Sequence, residues 1–358
     1  MALGKEKLLV FLPVDPPQGW LDKVSTRFPN LEVRWEKARI LSSGGLSTLE
    51  EVSAEVLDGI TLLCIIYPPE RPGLMRDVRF VQMVTSGSDS WAGHAKYKDP
   101  AVDFCSISGI HAPQITEWVI GTWLSHQRFL KHYAMVQRDE ASWRAEWDVG
   151  AMRADSAGRR IGILGYGSVG RNVGRVAQAL GMQVYAYTGS PRTTPESRRL
   201  PPGSTYLVPG TGDPDGVVPA RWFSGDLDSF LSLGIDLLVV SMPLTDSTRG
   251  SIGRRQFDIL ARSSSKTFVC NVARGPIIDT DALVDALHGG LIGGAALDVT
   301  DPEPLPDGHP LWKAPNLLIT PHVSWQSSSF FERTVDVLFT NLEKMDVGEP
   351  LVNLVKKA

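Results

Sequence analysis

Several things are scarce in this 358-residue chain, and each scarcity narrows its class. It has only three cysteines, Cys64, Cys105 and Cys270, odd in number, far apart and set among apolar neighbours. That excludes a disulfide framework and leads to the expectation of buried, reduced thiols in a cytoplasmic setting. No apolar run approaches the length of a membrane span, and Met1–Lys7 lacks the apolar core and cleavage site of a secretory leader, so no membrane partner is expected. Neither sign of charge dominates. The 36 Lys and Arg against 40 Asp and Glu leave a net charge of −4, without the basic excess that nucleic acid demands. No repeat or low-complexity tract appears, and no metal ligand set is expected. What remains is an ordinary soluble composition, 42% hydrophobic and 21% charged, on a chain long enough for two domains with separate cores.

The most informative stretch runs from Ile161 to Arg192. An apolar strand (Ile161, Ile163, Leu164) leads into Gly165-Tyr166-Gly167-Ser168-Val169-Gly170, followed by Val173, Val176, Ala177 and Leu180 at helical spacing. A second strand, Val184 to Tyr187, follows. Gly165 permits the sharp bend, Gly167 lets backbone approach a pyrophosphate, and Gly170 lets the helix pack close to the sheet. The N–H groups opening that helix then face phosphate. A nucleotide site is the reading, against an ordinary glycine-rich turn as the bland alternative. An NAD site usually closes its second strand with Asp or Glu; here Tyr187, Thr188 and Gly189 occupy that place, and no carboxylate precedes Glu196. Thr188, Ser190 and Arg192 suit a 2′-phosphate, so NADP is expected, with NAD the alternative if Arg192 is only a solvated loop charge.

Along the chain, strands at 8–12, 33–35, 62–66, 80–84 and 102–107 alternate with helical patterns at 20–28 and 48–57, which predicts a parallel sheet covered by helices. The turn Ser86-Gly87-Ser88 leaves the carboxyl end of a strand, where such sheets present N–H groups to ligands; it is a candidate for a substrate carboxylate, or a plain turn. A long helical pattern from Ile115 to about Val136 carries Trp118 and Trp123, with Trp143 and Trp147 after it, suggesting a subunit contact or packing between domains. Residues 193–223 read as a surface excursion with one short strand near Tyr206–Val208. Strands resume at 235–241, 267–271 and 293–299.

Three polar groups each follow an apolar strand in the second half: Arg274, Glu303 and His322. Ligand crevices of open α/β sheets lie outside the carboxyl ends of strands, so the three can converge there. A hydride arriving at a ketone carbon builds charge on oxygen, and a positioned acid must supply a proton. Histidine is the side chain whose ordinary range suits that task near neutrality. Glu303, accepting from the other ring nitrogen of His322, would fix its tautomer, and Arg274 can bind a carboxylate through two parallel bonds. Asp298, at the end of its strand, could face a nicotinamide. Taken singly, each is more often a loop charge or a cap.

With these residues in view, the chain resembles the D-isomer-specific 2-hydroxyacid dehydrogenases over nearly its whole length. The motifs are Gly165-Tyr-Gly-Ser-Val-Gly170, Met242-Pro-Leu-Thr245 to Thr248-Arg-Gly250, Asn271-Val-Ala-Arg-Gly-Pro-Ile-Ile-Asp279, Gly294-Ala-Ala-Leu-Asp-Val299, Asp301-Pro-Glu-Pro304 and Thr320-Pro-His322. The resemblance implies two Rossmann-like or flavodoxin-like α/β domains with parallel sheets, the active site in their cleft, and a homodimer formed through the nucleotide domain. The expected division is 1–118 completed by 331–358 for substrate, and 119–330 for the dinucleotide. It implies that Arg274 binds substrate, Glu303 and His322 form the acid/base pair, and Ser86 and Gly87 offer N–H groups to the carboxylate. Pro243, Thr248 and Ala273 join the coenzyme-contacting set.

The expected activity is reduction of 2-oxo acids to D-2-hydroxy acids. A dinucleotide-sensing corepressor-like protein and a phosphoglycerate dehydrogenase are the alternatives. Glu303 argues against a formate dehydrogenase, which has Gln there. The departures are the turn Ser86-Gly-Ser-Asp89, the long excursion, and Trp325 after the histidine. Trp91 and Trp325 are expected to wall the pocket and favour an apolar or aromatic 2-oxo acid.

Overall fold

The computed structural model describes residues 3–42, 45–143, 154–263 and 265–355. Trp147 lies outside the described residues. The chain divides into two units, Met1–Ile110 with Pro201–Val208 and Ser327–Ala358, and His111–Leu200 with Pro209–Gln326.

In the first unit, five parallel strands stand in the order β2-β1-β3-β4-β5: β1 (Lys7–Leu12), β2 (Glu32–Lys37), β3 (Leu62–Ile65), β4 (Phe80–Met83) and β5 (Asp103–Cys105). β3 and β4 are buried at every residue, as strands of a sheet covered on both faces must be. The order reverses at β1, a flavodoxin-like arrangement. The helix Phe330–Val347 completes this unit, where buried Asn341 donates to Gln82 Oε1 at 2.9 Å.

The second unit holds seven parallel strands ordered β12-β11-β10-β9-β6-β7-β8. They are β6 (Arg160–Leu164), β7 (Gln183–Tyr187), β8 (Arg221–Phe223), β9 (Leu237–Val240), β10 (Phe268–Asn271), β11 (Gly294–Leu297) and β12 (Leu317–Ile319). β6 lies between β9 and β7, so the order reverses there and a crevice opens at its carboxyl end. The helix Ser168–Ala179 follows it directly and buries Gly170, Val173, Gly174 and Ala177, one stripe at helical spacing.

Four local expectations are corrected. The helical pattern 115–136 is two helices, Ala112–Gln127 and Leu130–Glu140, because Phe129 between them is left-handed at φ 54°. The first of these belongs wholly to the second unit, whose core takes Val119, Ile120 and Trp123 beside Ile161, Val173 and Ala177; the division therefore falls at Ile110, not 118. Residues 48–57 form two short turns of helix broken at extended Val52. The stretch Tyr206–Val208 is no strand. It packs in the first unit, where the Tyr206 carbonyl lies so close to Gly109 that a Cβ there would come within 1.9 Å of it. The strand of the excursion is β8 instead. No helix among the described residues is long and apolar enough to cross a membrane, and among them no cluster of three metal-ligating side chains occurs.

Candidate active site

The glycines of the β6 turn do distinct physical jobs. Gly165 has φ +92°, and a Cβ there would meet Met242 N at 2.6 Å; one at Gly170 would meet Gly165 O at 2.3 Å. Both positions require hydrogen. At Gly167, the residue capping the helix, a Cβ would meet no heavy atom within 4 Å. That open space lies beside the first N–H groups of the helix, which have no carbonyl partners within it. A pyrophosphate fits this cradle. Ser241, at the end of β9, donates to Gly165 O at 2.8 Å and secures the bend.

Around that turn, the coenzyme candidates fare differently. Ser168, Val169 and Gly170 open the helix as expected. The Tyr166 ring is buried against Gly174, and its hydroxyl donates to Asp213 Oδ2 at 3.0 Å. Burial and the Asp213 carboxylate push the Tyr166 phenol well above its ordinary pKa, so it remains a neutral donor. The Thr188 hydroxyl donates to Ser190 O at 2.8 Å, and Arg192 Nη1 to Ser197 O at 2.7 Å, which rounds 188–198 into a compact turn. Thr248 donates to Pro243 O at 2.8 Å and closes the loop after β9.

The polar groups after β10, β11 and β12 are held by one web. Buried Asn271 accepts from Ala273 N and donates to Arg274 O, both at 3.0 Å, so Arg274 is fixed in extended backbone. Its Nη1 donates to Ala273 O at 2.7 Å. Gly275 then passes so close to Thr300 that a Cβ would lie 1.8 Å from its carbonyl oxygen, which presses the Arg274 loop onto the loop carrying Glu303. Glu303 Oε1 stands 2.7 Å from His322 Nδ1. Both side chains are about two-fifths exposed, 40% and 42%, and Nε2 of His322 has no hydrogen bond among the described residues. With Nδ1 facing a carboxylate, Nε2 is the ring nitrogen available to a ligand.

Asp298 anchors the loop that carries His322. It is 2% exposed, and its oxygens accept from Thr320 Oγ1 at 2.6 Å, Val323 N and Ser324 N at 2.9 Å, and the Ser324 hydroxyl. Four donors converge on this one carboxylate and tie the loop after β12 to the end of β11. Its carbonyl also accepts from His322 N at 2.8 Å. His322 sits in the left-handed region at φ 54°, uncommon for a residue with a Cβ, and Asp298 supplies the bonds that hold it there. The Trp325 indole donates to His322 O at 2.8 Å, so that residue braces the histidine.

In the first unit, Ser86 is exposed, Thr85 donates to Gly87 O at 2.7 Å, and Tyr97 donates to Ser88 Oγ at 3.0 Å. Trp91 is no pocket wall. It is 0% exposed, edge-on to Phe104 at 5.1 Å in the core.

A family model for the D-isomer specific 2-hydroxyacid dehydrogenase NAD binding domain matches residues 120–203 and 222–324. The chain belongs to that family. It is an NAD(P)-dependent oxidoreductase of the D-2-hydroxyacid class, built as two α/β units with parallel sheets. Among relatives of this dehydrogenase, a glycerate dehydrogenase from Methylorubrum extorquens is 30% identical over 85% of this chain and 88% of its own. A hydroxypyruvate reductase from Blautia hydrogenotrophica is 28% identical over 87% and 89%. The crystal structure of a D-isomer specific 2-hydroxyacid dehydrogenase from Xanthobacter autotrophicus Py2, in complex with NADPH and MES, superposes with a TM-score of 0.72 at 26% identity, covering 99% of this chain and 98% of that one. Sequence reading missed Asn271, Gly275 and Ser241 as supports of the site. Asn271 and Gly275 lie within the motif Asn271–Asp279, whereas Ser241 carries no sequence signal of its own.

Proposed function

We propose that this dehydrogenase reduces 2-oxo acids to D-2-hydroxy acids with NADPH as its preferred coenzyme. The observation that carries the reading is the His322–Glu303 pair at 2.7 Å, with Nε2 open. The β6 turn and the start of the helix after it would hold the pyrophosphate of the dinucleotide, which when bound would supply the hydride for the carbonyl carbon. His322 Nε2 gives its proton to the carbonyl oxygen, and Glu303 stabilises the imidazolium before proton transfer and orients the ring throughout. Arg274 binds the substrate carboxylate and polarises the adjacent carbonyl. The N–H groups of Ser86 and Gly87 are assigned to substrate binding as well. NADPH preference is supported by the missing carboxylate after β7 and by Arg192 in the 188–198 turn, and the relative crystallised with NADPH agrees with it. We assign Pro243, Thr248 and Ala273 to the coenzyme's walls, and a homodimer to the helix Leu130–Glu140, where Leu130 and Met135 are exposed.

The test is oxidation of NADPH, and separately of NADH, with glyoxylate, hydroxypyruvate, 2-oxoisocaproate and phenylpyruvate as acceptors. Turnover of any acceptor, with NADPH used more efficiently than NADH, is the expected result. Tight dinucleotide binding with no turnover would overturn the reading.

A further inference from the structure

The excursion between β7 and β8 leaves the coenzyme turn and returns to the sheet, and a single buried side chain grips both of its arms. Arg171, the residue after Gly170, is 3% exposed. Its Nη2 donates to Arg198 O at 2.6 Å, and its Nη1 to Asp213 O. The guanidinium also lies over the Tyr166 and Trp222 rings, 5.3 and 5.9 Å from their centroids.

The two gripped carbonyls matter because of what each is tied to. Arg198 Nε donates to Arg192 O at 3.1 Å, and Arg192 Nη1 donates back to Ser197 O, so the outgoing arm is one piece with the residue assigned to the 2′-phosphate. The returning arm folds around Asp213, whose carboxylate accepts from Tyr166 Oη, Val217 N and Val218 N. Leu200 N joins the arms by donating to Pro214 O at 2.9 Å, and at Gly216 they touch so closely that a Cβ would meet Arg198 O at 2.4 Å. Next along the helix, Asn172 accepts from Gly212 N at 2.9 Å.

A planar guanidinium suits this task. Its donors are fixed in a fork, so two carbonyls bridged by it keep a set separation, which a flexible ammonium cannot impose. In a buried place those bonds are charge-assisted and little weakened by water.

We propose that Arg171 is a positioning residue for coenzyme selectivity: by bridging the Arg198 and Asp213 carbonyls it sets where Arg192 stands, and so how well the 2′-phosphate is held, without touching the coenzyme's ribose itself. This rests on the NADPH reading above. Selectivity is thereby governed from the glycine-turn helix, beneath the surface that meets the ligand.

The experiment compares kcat/KM and KM for NADPH and NADH in the full-length wild type and in Arg171→Met, Arg171→Lys, Tyr166→Phe and Arg192→Ala. The expected result for Arg171→Met is a KM for NADPH raised about tenfold with that for NADH changed less than about twofold, the loss a charge-assisted bond to a positioned group implies. Arg171→Lys should recover part of the preference. Tyr166→Phe, which deletes one hydroxyl and keeps the ring, should move the preference the same way by about threefold, one neutral hydrogen bond's worth. A folded Arg171→Met that retains the full preference overturns the proposal. Should Arg171→Met fail to fold, an unchanged preference in Tyr166→Phe does so. If the wild type prefers NADPH and only Arg192→Ala loses it, the coenzyme reading stands and the Arg171 inference falls. A wild type without NADPH preference sinks both.

Discussion

The two units carry the same kind of parallel sheet, and their loops make them different molecules. Each sheet reverses its order at one strand, β1 in the first and β6 in the second. β6 runs through a three-glycine bend straight into a twelve-residue helix, so a row of N–H groups faces the crevice. After β1 the chain passes through Asp15-Pro-Pro-Gln and reaches its helix only at Trp20, whose capping residue Gly19 is left-handed. No phosphate cradle results. The comparison teaches that a switch point offers a crevice, and the residues leaving the strand decide whether anything is bound there.

The largest expected effect lies in the second unit. His322→Ala removes proton delivery and should lower kcat by at least about a hundredfold, with NADPH affinity kept, as loss of a general acid predicts. Steady-state kinetics beside a fluorescence titration of coenzyme checks both halves, and a variant retaining most of its turnover would defeat the mechanism. Gly167→Ala comes next. A Cβ there meets nothing in the protein, so the melting temperature should stay put while coenzyme affinity drops about tenfold, because a methyl group occupies the ligand's space. An unaltered affinity would mean that the open space at the helix start is not where the pyrophosphate lies.

A third prediction uses the histidines of the two units under acid. Burial pushes the His126 imidazole, stacked on Phe268 at 4.3 Å, down to about 4. The unfolded chain therefore takes up a proton below about pH 6.5 that the folded one refuses until about pH 4. Stability supplied by neutral His126 is complete above that window and drains as pH falls through it, by up to about 3 kcal/mol. His94, in the first unit, shifts the same way by burial. Denaturant unfolding at pH 7 and pH 4.5 should show His126→Phe losing less stability on acidification than the wild type. Equal losses would assign the acid sensitivity elsewhere.

The smallest effect is expected in the first unit. Ser88→Ala breaks only the bond from Tyr97, and a KM for 2-oxo acid raised less than about threefold fits a turn that offers backbone N–H groups. A loss as large as that of His322→Ala would erase the contrast between the units.

Local chemistry was readable in advance because it depends on neighbours in sequence. Gly165, Gly167 and Gly170 are dictated by a bend, a ligand's approach and a helix contact within six residues. The alternation of strand and helix follows from periodicity alone. The missing carboxylate after β7 is likewise a property of adjacent positions. Arg274, Glu303 and His322 could be picked out because each closes an apolar strand.

What required the fold is every pairing across distant segments. That Asp298 anchors the loop of His322 follows from β11 lying beside β12. Trp91 read as a pocket wall because a bulky ring near a candidate turn looks functional; packing against Phe104 buried it. The long helical pattern gave no sign of its break, since a left-handed Phe129 leaves no mark in hydrophobic spacing. Nor could the excursion be read, for its part in the second unit is held by Arg171 and Asn172, and its stretch in the first unit packs at Gly109 and Asn353. By itself the sequence determined that parallel strands alternate with helices, where the glycine turn lies and which polar side chains follow apolar strands, because hydrophobic period and backbone freedom are local quantities. Only the tertiary structure decided which of those side chains hold the others in place, because hydrogen bonding is settled by partners brought together from afar.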